Sequence, residues 1–209
     1  MIVNVCELCY DDRYGYDTVS GRAKGYVTMS RIGIFCADGL EEIECLTVVD
    51  YLRRAGIDIE MISITGRRQI MGSHQIHFIT DRVFEDVDFD ALDGIVLPGG
   101  AAGTRALEAD EDVCDVVRQF AADGRLTAAI SAAPGIFARL GLLDGKKATM
   151  YPGMEPSDCG AEWTGSAVER SGCIITGRGP AKVSAFSIEL INYLKGSEAA
   201  GQTAEAVVL

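Results

Sequence analysis

The stretch TAAISAAPGIFARLG, Thr127 to Gly141, places one hydroxyl, Ser131, at the end of an apolar run and before a string of small residues. A polar side chain between a buried strand and a helix, with Ala132, Ala133 and Gly135 keeping the turn tight, is the pattern of a nucleophile elbow. Pro134 suits the first helical turn. Serine is also a good helix N-cap, and the pattern alone leaves both roles open. A second strand end, VLPGG, sets Gly99 and Gly100 where backbone N–H groups are free to point at an anion or oxyanion, although an ordinary βα turn carries the same glycines. A third stretch, GLEEIE, holds Glu41, Glu42 and Glu44 at the start of a helical pattern. Three acids there suit the helix dipole. Each has apolar residues at helical spacing beyond it, so periodicity does not select one of them as a carboxyl bordering the core.

A hydroxyl nucleophile needs a general base. The chain has two histidines, His74 and His77, close together in GSHQIHF, a segment that reads as one or two short strands or a hairpin near the pocket. The seven cysteines, Cys6, Cys9, Cys36, Cys45, Cys114, Cys159 and Cys173, are odd in number and scattered, so reduced thiols, several in the core, are expected. Cys6 and Cys9 form one C-x-x-C. It lacks the second pair that a tetrahedral zinc site requires and does not sit at a strand-to-helix turn. No metal and no cofactor are expected.

The elements that must position these groups alternate. Ile32–Cys36 reads as a strand and GLEEIECLTVVDYLRRAG as a helix, acidic in its first turn and closed by Arg53, Arg54 and Gly56. Ile57–Ile64 alternates as a strand does. Gly94–Gly100 is a strand with a glycine turn, helical patterns cover Thr104–Glu108 and Asp112–Ala122, and Leu126–Ile130 is the strand before Ser131. KKATMYPG, GCIITGRGP and a final amphipathic helix, AKVSAFSIELINYLKG, follow. Very apolar strands alternating with helices imply a mostly parallel sheet covered on both faces. Ligands then bind at the carboxyl ends of the strands near the switch point.

At 209 residues the chain suits a single domain. Residues 1–28 are polar and Gly-rich without a sustained period, and read as an extension, disordered or produced by an upstream start. The domain is expected over 29–209. A net charge of −12 speaks against nucleic acid and anionic membranes as partners. No apolar run reaches the roughly 20 residues of a membrane span, and the N-terminus lacks a signal-peptide pattern. A cytoplasmic protein is expected.

VLPGG, then about thirty residues later AAISAAP, then GLLDGKKATMYPG, then IITGRGP, in this order, resemble the ThiJ/PfpI superfamily in its DJ-one branch. The similarity runs from about Met29 to Gly196. It implies a flavodoxin-like three-layer α/β sandwich, related to class I glutamine amidotransferases, and a homodimer. The family carries a reactive cysteine where this chain has Ser131. Its G-x-E-E-x-E motif selects Glu44 as the carboxyl beside that nucleophile, working protonated, and the N–H groups of Gly100 and Ala132 as the oxyanion donors. His74, Tyr151 and Arg178 fall at positions that border the pocket in relatives. Arg178 also has a plainer role in a strand-to-helix turn, and that role is favoured. The implied activity is cofactor-independent handling of 2-oxoaldehydes such as methylglyoxal, as glyoxalase III, or deglycation of early protein adducts.

The departure is the serine. PfpI-type proteases place a histidine directly after the nucleophile, where this chain has Ala132, and no triad histidine stands near Tyr151. Ser131 therefore reads as an inactivating replacement of a cysteine, natural or introduced, or as a weak nucleophile with Glu44 as its base. The competing expectations are a non-catalytic dimeric binding or chaperone-like protein and a serine-dependent hydrolase of small esters. Glu44 buried beside Ser131 would favour the oxoaldehyde enzyme, an occluded pocket the binding protein, and His74 within reach of Ser131 the hydrolase.

Overall fold

The structure, a computed structural model, describes residues 30–209. The expectations for 1–28 and for the Cys6/Cys9 pair lie outside the described residues. In chain order the elements are β1 (Arg31–Cys36), α1 (Glu42–Arg54), β2 (Asp58–Ser63), β3 (Gln69–Met71), β4 (His77–Ile79), β5 (Arg82–Val83), β6 (Gly94–Leu97), α2 (Ala101–Ala109), α3 (Glu111–Ala122), β7 (Leu126–Ile130), α4 (Pro134–Arg139), β8 (Lys147–Ala148), β9 (Glu162–Trp163), β10 (Val168–Ser171), β11 (Ile174–Gly177), α5 (Val183–Lys195) and α6 (Ser197–Ala206).

Seven strands form the main sheet in the order β10-β11-β7-β6-β1-β2-β5. All neighbours are parallel except the antiparallel pair β10–β11. The chain leaves β1 for β2 on one side and later returns to place β6 on the other, so the switch point lies between β1 and β6. A crevice at the carboxyl ends of β1, β6 and β7 follows from that topology.

Alternation along the strands builds two cores, because successive side chains point to opposite faces. Ile32, Ile34, Cys36, Val96, Ala128 and Ile130 pack on one face with α1 and α5, through Val48, Leu52, Phe186 and Leu190. Phe35, Ile95, Leu97 and Ala129 pack on the other with α2, α3 and α4, through Leu107, Val117, Phe120 and Phe137. The result is the expected mostly parallel sheet covered by helices on both faces. Asp110 caps α3, its carboxylate accepting a 3.2 Å bond from the Val113 N–H.

The segment around the histidines forms the hairpin β3–β4, which stands apart from the main sheet and pairs Met71 with His77. It is fastened to the start of α1: the Gly39 N–H donates to the Met71 carbonyl and the Ser73 N–H to the Leu40 carbonyl. Several expectations are corrected. The helix expected from Thr104 begins at Ala101, directly after the glycine turn. KKATMYPG, to which the sequence assigns no element, holds a strand of two residues, β8. The last helix of the sheet layer starts at Val183, after a 3₁₀ turn opened by Pro180. A further helix, α6, follows Gly196 and packs on α5; its face of Ala and Thr residues gives little apolar period to read.

Candidate active site

β7 ends at Ile130, and the next residue, Ser131, adopts φ 65°. L-residues reach this left-handed region at a cost, so a serine there is a held, strained conformation. Two backbone bonds hold it: the Ser131 N–H donates to the Gly177 carbonyl at 2.9 Å, and the Tyr151 N–H donates to the Ser131 carbonyl at 2.8 Å. The N-cap of α4 is Ala133, with no side-chain capping bond. Ser131 is therefore an elbow residue, and its capping role is set aside.

Glu44, in the first turn of α1, is fully buried. Its Oε2 accepts a 2.8 Å bond from the Gly99 N–H, while Oε1 has no hydrogen-bond partner. Gly99 forms the wedge between the two side chains. A Cβ on it would lie 2.5 Å from Glu44 Oε2, 2.6 Å from Ser131 Cβ and 3.0 Å from Ser131 Oγ, so only glycine allows the carboxyl and the hydroxyl to share this space. Burial drives the Glu44 carboxyl up to about 7, against the opposing pull of the Gly99 N–H and the Ser131 hydroxyl. A group poised there exchanges a proton near neutral pH.

Gly100 has φ 90° and would place a Cβ 2.4 Å from the Gly39 carbonyl oxygen. This backbone packing is what demands glycine. The N–H groups of Gly100 and Ala132 find no acceptor among the described residues. Beside them a cavity of about 750 Å³ opens, lined in part by Ala101 and Ala132.

The other sequence-derived candidates border the elbow unequally. A Cβ on Gly179 would lie 3.4 Å from the Tyr151 ring and 3.9 Å from Ser131 Oγ, which places the Arg178-Gly179-Pro180 turn and Tyr151 at the rim. The Arg178 guanidinium donates to the Gly165 carbonyl, fixing a loop. His74 is turned away. Its side chain is 67 % exposed and its Nδ1 lies 2.8 Å from Glu42 Oε2, with no hydrogen bond to Ser131. The bond to Glu42 and the nearby charges of Glu41 and Glu42 raise the His74 pKa. Glu42 is pushed the other way, to about 2: burial opposes its charge, but bonds from the His74 side chain, its own amide, the His74 amide and the Ser73 hydroxyl outweigh it. Glu41, Glu42 and His74 bring possible metal-ligand atoms within 4.8 Å of one another, and those atoms bond to each other and to Ser73. The tie from the hairpin to Glu42 was not legible in the sequence, where Glu41, Glu42 and Glu44 look alike.

A strained serine after a central strand, a buried carboxyl from the first helix and a glycine turn between them define an α/β protein of the elbow-bearing class. The chain belongs to the DJ-1/PfpI family, whose model matches residues 30–193. It is 37 % identical over 175 residues to Protein DJ-1 homolog B of Arabidopsis thaliana, covering 83 % of this chain and 40 % of that relative. It is 29 % identical over 167 residues to a protein named a deglycase from Pyrococcus abyssi, covering 79 % of this chain and 99 % of that one. The crystal structure of Drosophila melanogaster DJ-1beta superposes with a TM-score of 0.82 at 31 % identity, covering 87 % of this chain and 99 % of that one. Among the described residues no helix is long and apolar enough to cross a membrane.

Proposed function

We propose that this chain carries the scaffold of a cofactor-independent glyoxalase III or protein deglycase acting on 2-oxoaldehydes such as methylglyoxal, with its activity weakened or abolished by Ser131. The observation that carries this reading is the wedge at Gly99, which sets a neutralisable Glu44 carboxyl against the elbow side chain. The deglycase-named relatives support it at the level of the family.

With a thiol at position 131, the sulfur adds to the aldehyde carbon to give a hemithioacetal, and the new oxyanion sits against the N–H groups of Gly100 and Ala132. Glu44 takes the proton from the former aldehyde carbon and returns it to the neighbouring carbonyl carbon, giving a thioester of the 2-hydroxy acid. Water then releases the acid and the thiol. The aldehyde carbon is oxidised, the ketone carbon is reduced, and no external redox partner is consumed. A serine hydroxyl performs the first addition poorly because almost none of it is ionised at neutral pH.

Side-by-side turnover of methylglyoxal by the protein and by its Ser131→Cys form tests the reading. The cysteine form is expected to gain about 10²-fold or more, and equal or absent turnover in both would defeat it. Serine itself favours a second reading, a non-catalytic binding protein on the same scaffold, which the failure of Ser131→Cys would support. The hydrolase reading lacks its base, since His74 is bonded to Glu42.

A homodimer and a cytoplasmic location complete the proposal. Ile43 and Leu46 on the outer face of α1, with Met71, Ile76 and Ile79 of the hairpin region, are exposed large apolar side chains, of the kind that a second copy would cover.

A further inference from the structure

The cavity beside the elbow is far larger than methylglyoxal requires, and its lining is not that of a small neutral aldehyde site. Ala101, Thr104, Arg105 and Glu108 of α2 line it, at the i, i+3, i+4 and i+7 spacing that places them on one helix face. Ala101 directly follows Gly100, so this face leads away from the oxyanion donors at about 1.5 Å per residue. Thr104 lies one turn along it. It is 8 % exposed, and its Oγ1 is buried without a hydrogen-bond partner. Unpaired buried hydroxyls are uncommon, because burial removes water without replacing it.

The next residue, Arg105, makes no hydrogen bond or ion pair with any described residue. The second arginine in the lining, Arg139, is spent: its Nε pairs with Glu108 Oε1 at 2.9 Å, and its Nη2 donates to the Glu108 carbonyl at 2.6 Å. Asp158, exposed on the loop after β8, is the other lining charge without an ion pair. Met150, Met154 and Ile136 add apolar lining.

We propose that this cavity is the tail subsite of the same active site and that it takes a carboxylate carried by the oxoaldehyde. Arg105 provides the countercharge and Thr104 Oγ1 donates a hydrogen bond, while the dicarbonyl end lies at Gly100 and Ala132. This rests on the reaction proposed above and adds the substrate class: a 2-oxoaldehyde with an acid group a short aliphatic chain away. The chemistry is unchanged, one water being added as R–CO–CHO becomes R–CHOH–COOH.

Binding tests the subsite without turnover. The protein is titrated calorimetrically with 2-hydroxyglutarate, the product that a carboxylate-tailed oxoaldehyde would give, and with lactate, the product from methylglyoxal. The tailed acid is expected to bind about ten-fold or more tighter, Arg105→Gln is expected to erase that advantage, and Thr104→Val to reduce it several-fold, with circular dichroism confirming both folds. In the Ser131→Cys form, kcat/KM for 4,5-dioxopentanoate is expected to exceed that for methylglyoxal by about ten-fold, and Arg105→Gln to remove the preference while sparing methylglyoxal. Equal binding of the two acids, indifference to Arg105→Gln, or a preference for a cationic tail that Asp158→Asn abolishes would each overturn the subsite. If the Ser131→Cys form turned over neither aldehyde while the tailed acid still bound through Arg105, the reaction would fall and the anion subsite would stand.

Discussion

Glu44 brings a cost that depends on pH. Its carboxyl rises from the ordinary 4.5 to about 7 on folding, chiefly through burial. Between those two values the unfolded chain has released the proton and the folded chain still holds it. Stability therefore falls as pH climbs from 4.5 to 7 and, for this group, is flat above that window; the loss is a few kcal/mol at about 1.4 kcal/mol per pH unit. Glu42 acts in the opposite sense. Its carboxyl, lowered to about 2, contributes stability that is complete above 4.5 and lost as pH falls toward 2. His74 has a raised pKa, so its contribution is present at low pH and lost as pH rises through that value. Urea unfolding of Glu44→Gln at pH 5 and pH 8 is expected to show a decline about 2–3 kcal/mol smaller than that of the unaltered protein. An identical decline in both would mean that Glu44 is not held neutral by burial.

At the level of elements, the turn between β6 and α2 is the least forgiving part of the site. Gly100 faces backbone atoms of Gly39, Leu40 and Glu41, which cannot swing aside as a side-chain end does, and its φ is already left-handed. Gly100→Ala is expected to cost more than about 1 kcal/mol, measurable as a lower urea midpoint. Unchanged stability would mean that the turn relaxes freely. Much of this architecture was legible beforehand: VLPGG and AAISAAP announced two strand ends, and the apolar β6 and β7 announced a covered parallel sheet. The serine's two roles were not separable from pattern, because a cap and an elbow both place a hydroxyl before a helix; only the backbone angle and the cap at Ala133 part them. Glu44 was identified by resemblance and not by period, since Glu42 and Glu44 are both buried and only the packing of α1 against Gly99 sets Glu44 beside the elbow. The tail cavity left no sequence signal. Thr104, Arg105 and Glu108 read as an ordinary amphipathic face, and the loop carrying Asp158 and Cys159 reaches them only through the folded chain.

For the molecule as a whole, the net charge is acidic, and a group of exposed large apolar side chains lies on α1 and the hairpin fastened to its start. A partner copy seated there would lie close to the groups that hold α1 in place, including Glu42 and His74. Sedimentation is expected to show a dimer, and Leu46→Asp, which adds a charge to an already exposed position, is expected to release monomers with an unchanged circular dichroism spectrum. A protein that sediments as a monomer before any substitution would remove the dimer from the proposal.

The backbone bond from the Ser131 N–H to the Gly177 carbonyl has a kinetic consequence. That amide is shielded by the seam between β7 and β11, so deuterium reaches it only when the two strands part. The opening also frees the residue from its left-handed angle. The exchange time of this one amide thus records how firmly the sheet clamps the elbow, and it can be followed in the serine and cysteine forms alike, without substrate and without denaturant.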